Sequence, residues 1–589
     1  MPIDFRNTNT VWASILVETL QHLGLTTAII CPGSRSTPLT VAFAQQDQID
    51  TIPVLDERSA AFFALGIART TGNPVVLVCT SGTAGANFYP AVIEAKESRV
   101  PLLVLTADRP PELRDCHSGQ TIDQQKLYGN YPNWYAELAV PSVEIGMLSY
   151  LRQTVVHAWE RLLFPVPGCV HLNLPFRDPL APLPQFDTEV LKSQFQPDDF
   201  FAHLSNSRFP IPDAQFLIPY PDWQNCDRGI IIAGSAQPQR PREYCEAIAQ
   251  LSQALKLPVL AEGLSPVRNY AHLIPYLIST YDLILRNREL AHHLAPKMVI
   301  HIGELPISKE LRTCLDKWQP QRWVIDPSHH NLDPLHGKTT HLRTTIEQLV
   351  SSILPLSKGG LGGVKPFTYL DQWRQAEAKV RSAIDQEMLN ITQLFEGKAA
   401  WLLSQSLPAK TPLFIANSMP VRDVEFFWTP NNSGIRPFFN RGANGIDGTL
   451  STALGMGHRN QSSVMLTGDL ALLHDTNGFL LRNKFIGHLT IVLINNNGGG
   501  IFEMLPISKF DPPFEDFFAT PQDINFADLC VTYGVEHQLI QSWEQLKPLL
   551  NPLPTEGIRV LELQTDRKAD ASWRQIHLGK FAINLEGNY

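Results

Sequence analysis

Gly468-Asp469-Leu470 closes the apolar run Ser463-Val464-Met465-Leu466-Thr467, and Asn495-Asn496-Asn497-Gly498-Gly499 closes Leu489-Thr490-Ile491-Val492-Leu493-Ile494. Two buried strands ending side by side would bring the Asp469 carboxylate and the Asn496 amide oxygen to one sheet edge. Both are hard-oxygen donors, suited to Mg²⁺ carrying a diphosphate. The glycines after the asparagines let backbone approach a ligand closely. Between Asp469 and Asn496 there is room for a helix and a return strand, which predicts a βαβ unit. Either motif alone reads as turn residues. Together, each behind an apolar run, they favour a metal site.

Three further groups have chemistry to offer. Glu57 lies in Asp56-Glu57-Arg58-Ser59-Ala60-Ala61, after a short expected strand Ile52-Pro53-Val54-Leu55. In isolation such a residue is a solvated ion-pair partner. Arg441-Gly442-Ala443-Asn444-Gly445-Ile446-Asp447-Gly448 precedes a helical stretch beginning at Thr449; its glycines permit a tight turn, and a helix N-terminus favours a diphosphate. Arg35, Arg109, Lys309, Arg422 and Arg441 stand at expected strand ends or loops. Singly each is a solvated charge. Several cationic groups converging on one site would instead grip carboxylates, the guanidinium forks bidentately, so polycarboxylate substrates are expected.

The elements that must hold these residues follow from the apolar pattern. Thr27-Ala28-Ile29-Ile30-Cys31 ends in Pro32-Gly33-Ser34-Arg35-Ser36, Pro74 to Cys79 ends in Thr80-Ser81-Gly82, and Pro101 to Leu105 ends in Thr106-Ala107-Asp108-Arg109. Continuous apolar strands closing in polar turns predict a parallel α/β sheet with its site at the strand C-termini. The rhythm repeats through Gly229–Gly234, Met298–Gly303 and Trp323–Asp326, and again in the section holding the two motifs. A Pro-rich passage at about 173–222 reads as a linker, and Ser357-Lys358-Gly359-Gly360-Leu361-Gly362-Gly363 as a flexible connector. Three doubly wound parallel-sheet domains result, divided as 1–185, 186–355 and 356–589, an α/β fold throughout.

Composition sets the class. The 589 residues are 44% hydrophobic and 18% charged, an ordinary globular balance. A net charge of −9 argues against nucleic acid as partner without forbidding a local cationic pocket. The eight cysteines include no C-x-x-C pair, so neither a zinc site nor a disulfide framework is legible. The opening Met1-Pro2-Ile3-Asp4-Phe5-Arg6 has no signal-peptide core, and no run reaches the roughly 20 apolar residues of a membrane span. A soluble cytoplasmic protein is expected.

A Gly-Asp pair followed at this distance by Asn-Asn resembles the signature of thiamine-diphosphate enzymes, which have three α/β domains. The resemblance implies thiamine diphosphate with Mg²⁺ (or Mn²⁺), held by Asp469, Asn496 and the backbone carbonyl of Gly498. It implies a pyrimidine-binding first domain and a diphosphate-binding third domain, with Thr80 and Gly468 beside the cofactor. Glu57 matches the carboxyl that exchanges a proton with the pyrimidine N1′, leading to deprotonation of the thiazolium C2. Ile446 matches the apolar wedge that bends the cofactor between its rings. Because Glu57 and the metal ligands fall in different domains, the resemblance also implies a homodimer, possibly a homotetramer.

Cys31-Pro32-Gly33-Ser34-Arg35-Ser36-Thr37-Pro38-Leu39-Thr40, the loop Arg441–Gly448, and Leu470 in place of the usual third Gly are similar to one subgroup. Its members decarboxylate 2-oxoglutarate and add the resulting carbanion equivalent to isochorismate, in menaquinone and phylloquinone biosynthesis. Ser34, Arg35, Arg109, Gln120, Lys309, Ser418, Arg422 and Arg441 match its pocket positions, with Gln120 placing polar atoms at the reacting centre. Ile501 and Phe502 match the apolar pair beside the reacting carbons. Gly119 stands where an Asn is usual. Both substrates are dicarboxylates, which suits five cations; a carboligase for small pyruvate-like acids would have little use for them.

Overall fold

The computed structural model describes residues 3–202, 204, 218–353 and 368–585. The expected connector at 357–363 and residues 205–217 of the Pro-rich passage lie outside the described residues. Three six-stranded sheets, parallel at every pairing, carry the fold, as the apolar runs predict. The first contains β1 (Thr27–Ile30), β2 (Asp50–Pro53), β3 (Val75–Cys79), β4 (Leu102–Asp108), β5 (Trp134–Glu137) and β6 (Val170–Pro175), in the order β2-β1-β3-β4-β6-β5. The central sheet contains β7 (Gly229–Ala233), β8 (Val259–Ala261), β9 (Leu277–Ile278), β10 (Met298–Ile302), β11 (Gln321–Ile325) and β12 (Thr339–Leu342), in the order β12-β11-β10-β7-β8-β9. The third contains β13 (Pro412–Ile415), β14 (Arg436–Phe438), β15 (Ser463–Gly468), β16 (His488–Asn495), β17 (Glu536–Ile540) and β18 (Gly557–Gln564), in the order β14-β13-β15-β16-β18-β17.

Counted from its own first strand, the third sheet repeats the order of the first, so both reverse direction between first and third strands. Ligands of such sheets sit outside the strand C-termini at that reversal. In the first sheet the reversal places the turn after β1, with Ser34 and Arg35, beside the turn after β3, with Thr80. In the third it places Ser418, after β13, beside Asp469, after β15. β3 and β4 are buried along their whole length, which is why they read as unbroken apolar runs.

Packing divides the chain into two units. One holds the first sheet together with segments Asn440–Asn460 and Leu473–Gly487; the other holds the central and third sheets. In the first unit, Asp56 caps the helix Glu57–Thr71 by accepting from the Ser59 amide at 2.9 Å, and Gly72 ends it in the left-handed region. That helix packs on Thr449–Gly457 so closely that a Cβ at Gly66 would lie 2.2 Å from the Thr452 carbonyl oxygen. A Cβ at Gly455 would lie 2.1 Å from that of Phe63. Backbone oxygens cannot swing aside. Gly66→Ala is therefore expected to destabilise the protein by about 1–3 kcal/mol, read as a lowered melting temperature; a variant melting with the parent would show that the helices can separate freely.

Three expectations need correction. Between β15 and β16 the chain forms only a one-turn helix, Asp469–Leu473, and a 3₁₀ stretch, Thr476–Asn483, instead of a full crossover helix. The cause is tertiary: Asp475 reaches back to accept from the Ser451 amide at 2.7 Å, and Gly478 closes on the Ser451 and Leu450 side chains. The Pro-rich passage is not linker throughout, because Pro175 ends β6 while Leu191, Phe195 and Phe201 enter the first core. The strand before Glu57 is Asp50–Pro53, and Leu55 is exposed. No helix of the described residues is long and apolar enough to cross a membrane.

Candidate active site

At the C-terminal edge of the first sheet four of the expected residues share a hydrogen-bonded surface. Thr80, buried at the end of β3, accepts the Arg35 amide on its hydroxyl at 3.2 Å, and its side chain fills the space a Cβ on Gly33 would need. Arg35 donates from Nη1 to the Phe176 carbonyl at 2.9 Å. Arg109, after β4, donates from Nη1 to the Ser81 hydroxyl at 2.6 Å and to the Gln120 carbonyl at 3.0 Å. Gln120 holds a left-handed backbone, φ 56°, and its Nε2 donates to the Ser81 carbonyl at 2.9 Å. Burial, and then the neighbouring Arg109 charge, lower the Arg35 pKa. Arg35 Nη1 also lies 3.6 Å from the Asp178 carboxylate, which balances part of this positive charge within the fold. Ser34 is exposed in the same turn, and a Cβ on Gly119 would meet nothing within 4 Å.

Glu57 is the first residue of its helix and half-buried. Its neighbours are engaged elsewhere: Asp56 accepts from Asn477 Nδ2 at 2.8 Å, and Arg58 donates to the His474 carbonyl at 2.8 Å. Among the described residues no ion pair includes Glu57, which removes the solvated ion-pair reading. Further along the same helix, Phe62 occupies the space a Cβ on Gly448 would need. The loop carrying Arg441 and Ile446 is anchored by buried Glu94, which accepts from the Gly442 amide at 3.1 Å and the Ala443 amide at 2.7 Å. Both Arg441 and Ile446 are half-buried. The following helix N-terminus is less open to a diphosphate than expected, because the Asp475 carboxylate takes the Ser451 amide; burial pushes that carboxyl up to about 6.

The third sheet joins the two opening motifs. Gly468 pairs with Ile494 in the β15–β16 ladder, so both turns leave the sheet together. The Gly498 amide donates to Asp469 Oδ2 at 2.8 Å and the Leu470 amide to Asp469 Oδ1 at 2.8 Å. Burial pushes the Asp469 carboxyl up to about 6, a shift that a bound dication would reverse. Asn496 Oδ1 is buried with no hydrogen-bond partner among the described residues. An orphaned acceptor beside a buried carboxylate and the Gly498 carbonyl fits a hard divalent cation. A Cβ on Gly468 would meet nothing within 4 Å, leaving open space at the turn. Ile501 and Phe502 follow on the short helix Gly500–Glu503, half-buried, with Phe502 edge-on to Phe518 at 5.8 Å.

The chain matches the family model for "Thiamine pyrophosphate enzyme, N-terminal TPP binding domain" over residues 11–127 and that for "Middle domain of thiamine pyrophosphate" over residues 214–415. A 2-succinyl-5-enolpyruvyl-6-hydroxy-3-cyclohexene-1-carboxylate synthase of Nostoc sp. is 67% identical over 586 residues, spanning 99% of this chain and 100% of that protein. Synthases of the same name from Trichormus variabilis and Gloeothece citriformis are each 66% identical over 587 residues, with 99% and 100% covered. The chain belongs to this synthase family. In fold it is similar to the thiamine diphosphate-dependent 4-hydroxybenzoylformate decarboxylase of Rhodococcus jostii, with a TM-score of 0.67, 14% identity, and 94% and 99% of the two chains covered. Benzoylformate decarboxylase of Polynucleobacter necessarius gives 0.67 at 16% identity, with 94% and 98% covered.

For a member of this synthase family, the cations are unevenly placed. Arg35 and Arg109 are brought together, and Arg441 belongs to the same unit. Ser418, in the left-handed region at φ 72°, starts the helix Met419–Phe427 and accepts from Arg422 Nη1 on its carbonyl at 2.6 Å. Lys309 is exposed at the start of the helix Lys309–Trp318, after β10 of the central sheet. Sequence reasoning missed the charges behind Asn496. Glu396 Oε1 accepts from Asn496 Nδ2 at 2.5 Å, and Glu396 Oε2 pairs with Arg574 at 2.8 Å. Arg574 also holds Asp423 at 2.7 Å, and the Glu396 amide donates to Asp570 at 3.1 Å. Burial pushes the Asp423 and Asp570 carboxyls up. The carboxylates and Arg574 come from three separate helices, Glu396–Ser406, Met419–Phe427 and Arg567–His577, so no local pattern announces the cluster.

Proposed function

We propose that the protein is a thiamine-diphosphate- and Mg²⁺-dependent transferase. It decarboxylates 2-oxoglutarate and adds the resulting carbanion equivalent to isochorismate, giving 2-succinyl-5-enolpyruvyl-6-hydroxy-3-cyclohexene-1-carboxylate and CO₂ for menaquinone or phylloquinone biosynthesis. The observation that carries this reading is the full-length similarity to synthases of that name. Thiamine diphosphate supplies the electron sink for the carbon left after CO₂ departs. Asp469, Asn496 and the Gly498 carbonyl hold the metal, Mg²⁺ or Mn²⁺, with Thr80, Ile446 and Gly468 against the cofactor. Glu57 exchanges a proton with the aminopyrimidine. Arg35 and Arg109 clamp a substrate carboxylate beside Ser34, while Lys309, Ser418, Arg422 and Arg441 serve the remaining anionic groups. Gln120 positions polar atoms at the reacting centre, and Ile501 and Phe502 shield it. Orientation by such clamps supplies a large share of this kind of catalysis.

The reading includes a pyrimidine-binding domain over 1–185, a central domain over 186–355, a diphosphate-binding domain over 356–589, a cytoplasmic location and a homodimer or homotetramer. The decisive assay is turnover of isochorismate and 2-oxoglutarate with and without thiamine diphosphate and Mg²⁺. Product formation that needs both additions is expected. CO₂ release from pyruvate but not from 2-oxoglutarate would overturn the assignment in favour of another thiamine carboligase. Sedimentation of an active, cofactor-loaded monomer would overturn the oligomer.

A further inference from the structure

An asparagine is a metal ligand only when its oxygen, and not its NH₂, faces the ion. Nothing in the side chain itself makes that choice, because the two ends have nearly the same shape. The neighbours of Asn496 do make it. Glu396 Oε1 lies 2.5 Å from Asn496 Nδ2, and an ionised carboxylate only accepts hydrogen bonds. The amide nitrogen must therefore face Glu396, which leaves Oδ1 as the buried, partnerless acceptor. Arg574 engages the other carboxylate oxygen, Oε2, at 2.8 Å and so fixes the plane of the Glu396 group. Gly500 completes the socket, since a Cβ there would stand 2.7 Å from Asn496 Nδ2. Glu396 and Arg574 are each 2% exposed, so solvent does not compete for these bonds.

We infer that Glu396 is a positioning residue for the metal: its carboxylate, held by Arg574, sets the Asn496 amide with Oδ1 toward the ion. This rests on the proposed role of Asn496 as a ligand. Partners behind a ligand commonly set its orientation, and their loss weakens metal binding by about 10–100-fold. In Glu396→Gln the new amide turns its oxygen to Arg574, which can only donate, and its NH₂ to Asn496. Asn496 then turns its oxygen to that NH₂ and offers its own NH₂ where the ion would sit.

The test is Mn²⁺ affinity of the full chain with saturating thiamine diphosphate, read from the free Mn²⁺ signal in electron paramagnetic resonance. Glu396→Gln is expected to weaken binding by about 10–100-fold. Adding Asn496→Asp should restore most of it, because a carboxylate offers oxygen at both ends and also accepts from the NH₂ that Glu396→Gln introduces. A Glu396→Gln protein within about twofold of the parent overturns the inference. So does a loss that Asn496→Asp leaves unrepaired, since that marks damage to the fold. If Glu396→Gln does not fold, Glu396→Asp keeps the charge for Arg574 but withdraws it from Asn496; weaker Mn²⁺ binding supports the inference and parental binding overturns it. Asn496→Ala separates the two levels. Should it bind Mn²⁺ like the parent, the ligand assignment itself fails; should it lose Mn²⁺ while Glu396→Gln keeps it, only the positioning role fails.

Discussion

Glu57→Gln is expected to lower turnover by about 10²–10⁴-fold while leaving the affinity for thiamine diphosphate and Mn²⁺ close to that of the parent. The side chains have the same size, so the start of the helix Glu57–Thr71 is undisturbed. Asp56, which caps that helix, and Arg58, which donates to the His474 carbonyl, keep their own partners. What the amide cannot do is exchange a proton with a ring nitrogen. The effect should therefore fall on the step that prepares the cofactor, visible as slowed exchange of the thiazolium C2 proton by nuclear magnetic resonance. Glu57 is free for this role because the structure gives it no ion pair among the described residues. A Glu57→Gln protein with parental turnover would remove the proton-exchange role, and the resemblance that suggested it would then carry only the fold.

The parts of the site legible in the sequence are those that lie at strand ends. Apolar runs of four to eight residues closing in polar turns announced β1, β3, β4, β15 and β16, because strands buried on both faces read as unbroken apolar stretches. Their C-terminal turns necessarily carry Arg35, Thr80, Arg109, Asp469 and Asn496, so naming the strands nearly named the site. The crossover after Asp469 was not legible. Its form depends on Asp475 reaching Ser451, a contact between separate stretches of chain. Glu94 anchoring the Gly442–Ala443 loop and Glu396 behind Asn496 were hidden for the same reason. Each is a helical carboxylate, and only tertiary placement separates it from a solvated one. Gly66 and Gly455 had no signal either, since a glycine in a helix declares a close approach only once the facing backbone is known.

Arg574→Met is expected to destabilise the metal-free protein by about 3–5 kcal/mol near neutral pH, among the largest effects available to a single substitution away from the reacting centre. Met keeps the bulk of the side chain over the Phe395 ring, which Arg574 faces at 5.2 Å, so the loss reports charge more than packing. Arg574 is the shared partner of Glu396 and Asp423, and its charge also acts on Asp570. Without it three carboxyls remain in a region that excludes water. Burial already raises Asp423 and Asp570 with the arginine present, and its removal must raise them further. A carboxyl whose folded pKa is raised binds more protons in the native state than in the unfolded chain, so stability falls as pH rises from the unfolded carboxylate range toward the folded value. The gap in melting temperature between parent and variant should thus be widest at about pH 8 and narrow toward about pH 5.5, where the buried acids can remain neutral. Adding Asp423→Asn should recover part of the loss at the higher pH and little at the lower. A gap that stayed constant across that range would mean that Arg574 acts through packing, and the charge cluster would no longer account for how Glu396 is held against Asn496.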